Sequence, residues 1–432
     1  MKKYITIYAV LLGICLVFSS CKKDYGNLNN ATVEDFLTNA SKAELNNLVS
    51  GTESGMRNFL ALYLDDIGTI GRELYHFSTS EPRYVTDLLG ANNATLSNSN
   101  FYIVNPWAAR YRVVKNCNIL IQAAANSKLI TDGQRSGYLG FARTIKAYQL
   151  LMNLNLTDSN GIRVNVENPD NLGSFVNYNA ALAAISSLLD SAQNDFSNAS
   201  IDFKLAGFSG FNDAPGLTKF NRALAARVDV YQQNWDGALT ALTGSFFGLN
   251  NDLSMGIYHV FSSGSGDQLN TFFIPQNQTG EIRVAHPSYA TDIEANDNRI
   301  NKATLRSAPA SLNGLTSDRD IWVYTSSTAS VPIIRNEELI LIYAEANIQK
   351  NDLVDAVTAL NTIRNAHNLP NYSGILSQPA LISEMLNQRR YSLFCEGHRW
   401  IDMRRYNLLG KLPLDRVGDD VWTEFPLPVT EQ

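Results

Sequence analysis

Between residues 107 and 156 the apolar positions advance by threes, fours and sevens. Trp107, Tyr111, Val114 and Ile121 form one stripe, and Tyr138, Phe141, Ile145, Tyr148, Met152 and Leu156 form the next. Such steps return to the same face of an α-helix, so the pattern predicts two long amphipathic helices. Asp132-Gly133 between them reads as a turn that folds the pair into an αα-hairpin. A second hairpin is expected where Phe220, Ala223, Ala226, Arg227 and Val230 lead through Gln232-Gln233-Asn234 to a helix opening at Trp235. A third follows from Leu339, Ile342, Tyr343 and Ala346, a polar break at Lys350-Asn351-Asp352, and then Leu353, Val357, Leu360 and Ile363. No hairpin can bury its stripe alone, and stacking the hairpins solves this. The expected fold is therefore mainly α, built of tetratricopeptide-like units. The stretch 245–330 breaks the rhythm with Gly, Ser, Asn and Thr, including Ser262-Ser263-Gly264-Ser265-Gly266, and predicts loops and short strands.

The amino end follows another logic. Lys2 and Lys3 precede a mainly apolar run at 5–18, which is a signal-peptide pattern and too short for the roughly 20 apolar residues of a spanning helix. Phe18-Ser19-Ser20-Cys21 then resembles a lipobox, which implies cleavage before Cys21 and acylation of its thiol. Acyl chains contribute about 0.8 kcal/mol per buried CH₂, so they can anchor a chain none of whose segments enters the bilayer. The expected organisation is a signal peptide at 1–20, a lipidated flexible tether at 21–40 and a folded domain at 41–432. Within the domain, helical hairpins occupy about 41–245 and 332–406 and a loop-rich insertion about 246–331.

Composition narrows the partners. Against 41 acidic residues stand 35 Lys and Arg, a net charge of −6, and losing Lys2 and Lys3 takes it to −8. An acidic chain with no basic run is not expected to bind nucleic acid. With 45% hydrophobic residues the chain can build large cores. Once Cys15 leaves with the signal and Cys21 is acylated, Cys117 and Cys395 allow at most one disulfide. Neither has a partner at metal-ligand spacing. His76, His259, His286, His367 and His398 form no His-Glu-x-x-His frame, and no phosphate loop or nucleophile elbow is present. No catalytic residue, metal or cofactor is expected.

The C-terminal block Gln388-Arg389-Arg390-Tyr391-Ser392-Leu393-Phe394-Cys395-Glu396-Gly397-His398-Arg399-Trp400-Ile401-Asp402-Met403-Arg404-Arg405 resembles the arginine-rich helix and Glu-Gly-His-Arg-Trp segment of the SusD/RagB family. Members of this family are nutrient-binding outer-membrane lipoproteins. The segment 335–346, with Tyr343-Ala344-Glu345-Ala346, is similar to another of its motifs, as are Leu360-Asn361-Thr362-Ile363-Arg364 and Phe425-Pro426-Leu427-Pro428. Arg335, Glu338, Glu345, Glu396, Arg399, Asp402 and Arg404 are expected to serve as helix-binding ion pairs rather than as a reaction site.

The resemblance implies a non-enzymatic protein, lipid-anchored at the outer membrane and facing the cell surface. It would capture a glycan and pass it to a SusC-like TonB-dependent transporter. A peptide ligand, or a structural lid without a ligand site of its own, are the alternatives. Sugars offer flat CH faces beside hydroxyls, so the expected site combines rings with polar side chains. Tyr75, Arg83 and Tyr84 stand where the family places ligand loops, and Trp107, Tyr289 and Trp322 are further candidates, together with Phe272 and Phe273.

Overall fold

The computed structural model describes residues 37–431. The expected signal peptide, Cys21 and the expected tether up to residue 36 lie outside the described residues. Residues 37–40 already belong to the folded body: Asn126 Nδ2 donates to Leu37 O at 2.7 Å and Ser127 Oγ to Ala40 O at 2.6 Å. Residues 37–40, assigned to the tether from sequence, are thus part of the folded body.

The helices of the first half are α1 (Lys42–Gly55), α2 (Leu60–Ile70), α3 (Phe101–Asn126), α4 (Asp132–Thr157), α5 (Tyr178–Phe196), α6 (Ala214–Tyr231) and α7 (Trp235–Thr243). After the one-turn α8 (Ser288–Thr291) come α9 (Asn336–Gln349), α10 (Leu353–Ala366), α11 (Gln378–Ser392) and α12 (Arg399–Arg405). Consecutive helices stack: α4 packs on both α3 and α5, α6 on α5 and α7, and α9 on α7, α10 and α11. The three hairpins expected from the apolar stripes are α3–α4, α6–α7 and α9–α10. Stripe residues Val114, Phe141, Ile145, Phe220, Ala226, Leu339, Ile342, Leu360 and Ile363 are all buried.

Local chemistry sets the helix ends. Ser41 and Glu44 form a capping box on α1, and Asn177, Asp213 and Asn234 cap α5, α6 and α7. Thr131 and Gln134 form another on α4, so Asp132-Gly133 makes the first turn of that helix and not the interhelical turn the sequence suggested. Two reciprocal hydrogen bonds to otherwise orphaned N–H groups outweigh the turn preference of Asp-Gly.

Short strands form within the first helical half and between the two halves. β1 (Leu74–Phe77), β5 (Ile282–Ala285), β7 (Leu315–Ile321) and β6 (Ala303–Leu312) make an antiparallel sheet in that order. β2 (Ile162–Arg163) pairs with β3 (Phe175–Val176), and β4 (Gly256–His259) with β8 (Val331–Arg335). In the larger sheet Tyr75 faces Val284, His76 faces Arg283 and Phe77 faces Ile282. Successive side chains of a strand point to opposite faces. Tyr75, Phe77, Ile282 and Val284 accordingly share a small core with Val85, Leu89 and Leu315, while His76 and Arg283 share the other face.

Six of the seven residues expected as scaffold form ion pairs with described residues, and Arg399 does not. Arg335 holds Glu396 at 2.8 Å, Arg227 holds Glu338 at 2.6 Å, and Arg405 holds Glu345 at 2.7 Å. Arg389 pairs with Asp402 at 2.7 Å and Arg404 with Asp158 at 3.0 Å. Cys117 and Cys395 are free and buried, and burial pushes the Cys117 thiol up to about 12. No helix among the described residues is long and apolar enough to cross a membrane.

Candidate functional site

Where α2, β1, the start of α3 and the loop at 268–271 converge, a groove of about 650 Å³ opens. Its floor follows from strand register. His76 and Arg283 lie directly opposite each other on the face covered by α2, and Asp65 of α2 reaches both. Arg283 Nε and Nη2 donate to the two Asp65 oxygens at 2.6 Å each, and His76 Nδ1 lies 3.1 Å from Asp65 Oδ2. Burial raises the proton affinity of Asp65, but Arg283 and His76 outweigh it and hold the carboxyl at about 2. His76 Nε2 lies 3.3 Å from Glu281 Oε1. That contact is not aligned as a hydrogen bond, yet it is close enough to hold the Glu281 carboxyl below its ordinary range.

Rings form the walls. Tyr84 stacks on His76 with centroids 3.9 Å apart, and Phe101 meets Tyr84 edge-on at 5.2 Å. Arg83 lies over Phe101, 4.9 Å from its centroid, while holding Glu81 and donating to Asn100 at 2.8 Å. At the rim stands Phe59, 48% exposed, with its backbone at φ 53° in the left-handed region. A bulky residue in that conformation is strained, and such strain concentrates at functional sites. Arg57, held by Asp267 at 2.5 Å, and Gln268 complete the rim. The side chains of Asn58, Asn105 and Thr271 line the groove and form no hydrogen bond to any described residue. Their donors and acceptors are open to a ligand.

The sequence candidates divide. Tyr84 lines the groove and Arg83 braces its wall. Tyr75 is corrected: at 2% exposure it points into the small core, stacked on Phe77, because strand alternation turns His76 toward the groove instead. Trp107, 2% exposed, packs on Tyr111 and donates from Nε1 to Glu431 at 3.0 Å. Tyr289, 1% exposed, packs on Phe394 and donates to Arg299 O at 2.7 Å. Neither presents a ring to solvent, since both lie on the inward side of packed elements. Phe272 is buried likewise, beneath the Arg283 guanidinium. Trp322 and Phe273 are half-buried against each other and do not line the groove. Sequence reasoning missed Phe59, Asp65, Phe101 and Arg283. The available signal was the period of two at 74–77, which fixes the side of the strand that His76 takes.

A larger depression of about 860 Å³ lies against α3, α4 and α5. Its walls mix aliphatic side chains with charged ones such as Lys115, Arg143, Lys146 and Glu167, and its one ring, Tyr111, is tied through its hydroxyl to the Arg163 backbone. It offers no ring free to stack on a sugar.

The class this fold defines is a stack of tetratricopeptide-like helical hairpins with a sheet-bearing insertion beside a ring-lined groove. Residues 290–422 match the model of the SusD family. The fold agrees over nearly the whole chain, so the SusD/RagB resemblance rests on sequence and architecture together. Surface glycan-binding protein A from Bacteroides thetaiotaomicron, in complex with laminarihexaose, superposes with TM-score 0.70 at 13% identity, over 91% of this chain and 97% of that one. A SusD superfamily protein from Bacteroides vulgatus gives 0.67 at 16% identity, covering 90% and 96%. A SusD-like carbohydrate binding protein from Bacteroides vulgatus gives 0.65 at 15%, covering 85% and 84%. No curated protein matches the chain.

Proposed function

We propose that the chain captures an oligosaccharide in the groove bounded by Phe59, Tyr84 and Phe101, without cleaving it. From the outer membrane, where an acylated Cys21 holds it facing the cell surface, it delivers the glycan to a SusC-like TonB-dependent transporter. The observation that carries this reading is the arc of rings beside the unoccupied polar side chains of Asn58, Asn105 and Thr271. Rings accept the CH faces of a sugar, and the amides and hydroxyl accept and donate to its hydroxyls. The groove is large enough for a few sugar units by the usual scale of ligand sites, about 300–1,000 Å³. Both guanidiniums of the groove are paired, Arg283 with Asp65 and Arg57 with Asp267, and Glu281 adds a carboxylate without an arginine partner, which suits an uncharged polymer better than an anionic one.

The test is calorimetric titration of the mature chain with a glycan panel and a peptide panel. Binding to at least one glycan, weakened by Phe59→Ala and Tyr84→Ala, is the expected result. Binding to peptides alone would replace the glycan with a peptide cargo. If the isolated chain bound nothing while its complex with the transporter bound tightly, the chain would be a lid whose partner supplies the site.

A further inference from the structure

Arg399 stands apart from the other charged residues of the C-terminal block. Of the seven side chains expected to act as scaffold, it alone makes no hydrogen bond to a described residue. It lines a groove of about 420 Å³ between one face of α11 and the segment running through α12 to Leu408, on a part of the molecule the glycan groove does not use. Along α11 the lining residues Ile382, Leu386 and Arg390 recur every fourth position, and so do Pro379, Ser383 and Asn387. One continuous helix face therefore forms the wall.

The two ends of this groove differ. Toward the start of α11 the lining is apolar, with Ile382 and Leu386 facing Met403 and Leu408. At its other end sit two guanidiniums, Arg390 and Arg399, and no carboxylate lines the groove. Arg390 is tied on its far side to Asp292 at 3.0 Å and to Ser288 Oγ at 2.7 Å. Burial, and then the like charge of Arg390, pull Arg399 down to about 10. Glu73 is the acid that acts on Arg399 most. It is buried, accepts from Cys395 N at 3.2 Å and is raised by burial, which weakens it as a counter-charge, and Asp402 acts on Arg399 less than Glu73 does. A half-buried cation that no carboxylate of the described residues reaches in an ion pair, at the head of an apolar slot, can take its counter-charge from a ligand.

We propose that this groove binds a carboxylate attached to an apolar body, with the carboxylate between Arg390 and Arg399 and the body against Ile382, Leu386, Met403 and Leu408. A fatty acid and the free C-terminus of an apolar peptide share this chemistry.

Full mature protein is titrated with octanoate, 1-octanol, acetyl-Leu-Leu as free acid and the same peptide as C-terminal amide. Octanoate or the free-acid peptide should bind at least about tenfold more tightly than its uncharged counterpart, the scale of one charge-assisted hydrogen bond. Octanoate binding alone assigns a fatty-acid ligand, and free-acid peptide binding alone assigns a chain terminus. Arg399→Gln should weaken the carboxylate about tenfold, with Arg399→Lys recovering part of the loss. Asn387→Asp, which places a negative charge on the half-buried groove wall with little demand on the fold, should weaken it as well. Equal affinity for charged and uncharged forms overturns the proposal. So does the absence of millimolar binding by either carboxylate, or unchanged affinity in folded Arg399→Gln or Asn387→Asp protein.

Discussion

The imidazole of His76 lies nearly parallel to the ring of Tyr84, with centroids 3.9 Å apart and planes 20° from coplanar. One face of Tyr84 is thereby occupied, and Phe101 meets it edge-on. Tyr84 is held as a fixed wall of the groove, and Phe59 at the rim is the more exposed of the two rings. Each should contribute about 1 kcal/mol of stacking, so Phe59→Ala and Tyr84→Ala should each weaken glycan binding about fivefold. Titration calorimetry of the two variants against the best-binding glycan measures this.

Phe59 also carries a backbone cost. A left-handed conformation costs about 1 kcal/mol for a bulky residue, and Asn tolerates it. Phe59→Asn should therefore raise stability by about 1 kcal/mol in urea denaturation while losing glycan affinity. A variant that gains neither stability nor loses affinity would show that the ring has no part in capture.

Asp65 is the shared partner of Arg283 and His76. Replacing it with Asn leaves the buried Arg283 without its counter-charge, a loss of about 3–5 kcal/mol. Adding Arg283→Met to Asp65→Asn should recover much of that loss, because the orphaned charge is gone. Denaturant midpoints of the wild type, the single and the double variant measure both effects.

Stability should decline as pH rises from 6.5 to 8, where buried carboxyls titrate without opposition from the buried histidines. His259 and His398 are buried neutral, their proton affinities lowered by burial to about 3 and about 4. As pH falls below about 6.5 the unfolded chain takes up protons that the fold excludes, and the contribution of these two histidines to stability drops. Glu73 has the opposite sign: burial raises it to about 8, so above the ordinary carboxyl range the native state holds a proton the unfolded chain has released. Stability therefore declines as pH rises from 6.5 to 8, by at most about 2 kcal/mol from this group. Asp66, raised by burial and by Asp65, acts in the same sense. Urea denaturation at pH 6.5 and 8 should show the decline, and Glu73→Gln should reduce it.

Cys21→Ser should move the protein from the membrane fraction to the soluble fraction with its fold unchanged. Fractionation followed by circular dichroism checks both. Retention in the membrane fraction would mean that something other than acyl chains anchors the chain.

The hairpins were legible because a helix stripe is a local property: Phe141, Ile145 and Tyr148 lie on one face whatever they pack against. The site was not, because it joins residues far apart in the chain. Asp65 meets Arg283 only once β1 has paired with β5, and nothing at positions 57–65 marks Phe59 as a rim residue. Trp107 takes the inward side that its place on the apolar stripe implies, and Tyr75 was misplaced for another reason. An aromatic side chain near polar residues in sequence can still point inward, and packing decides which way it faces.

By itself, then, the sequence determined the mainly helical repeat architecture, the lipobox-like amino end and the family-like C-terminal block, all of which depend on spacing within short segments. Only tertiary structure decided which rings reach solvent, that His76 and Arg283 share a face, and that Arg399 stays unpaired while its neighbours in sequence are matched. Burial and charge pairing at those positions are set by contacts between distant segments, and one-dimensional order does not encode those distances directly.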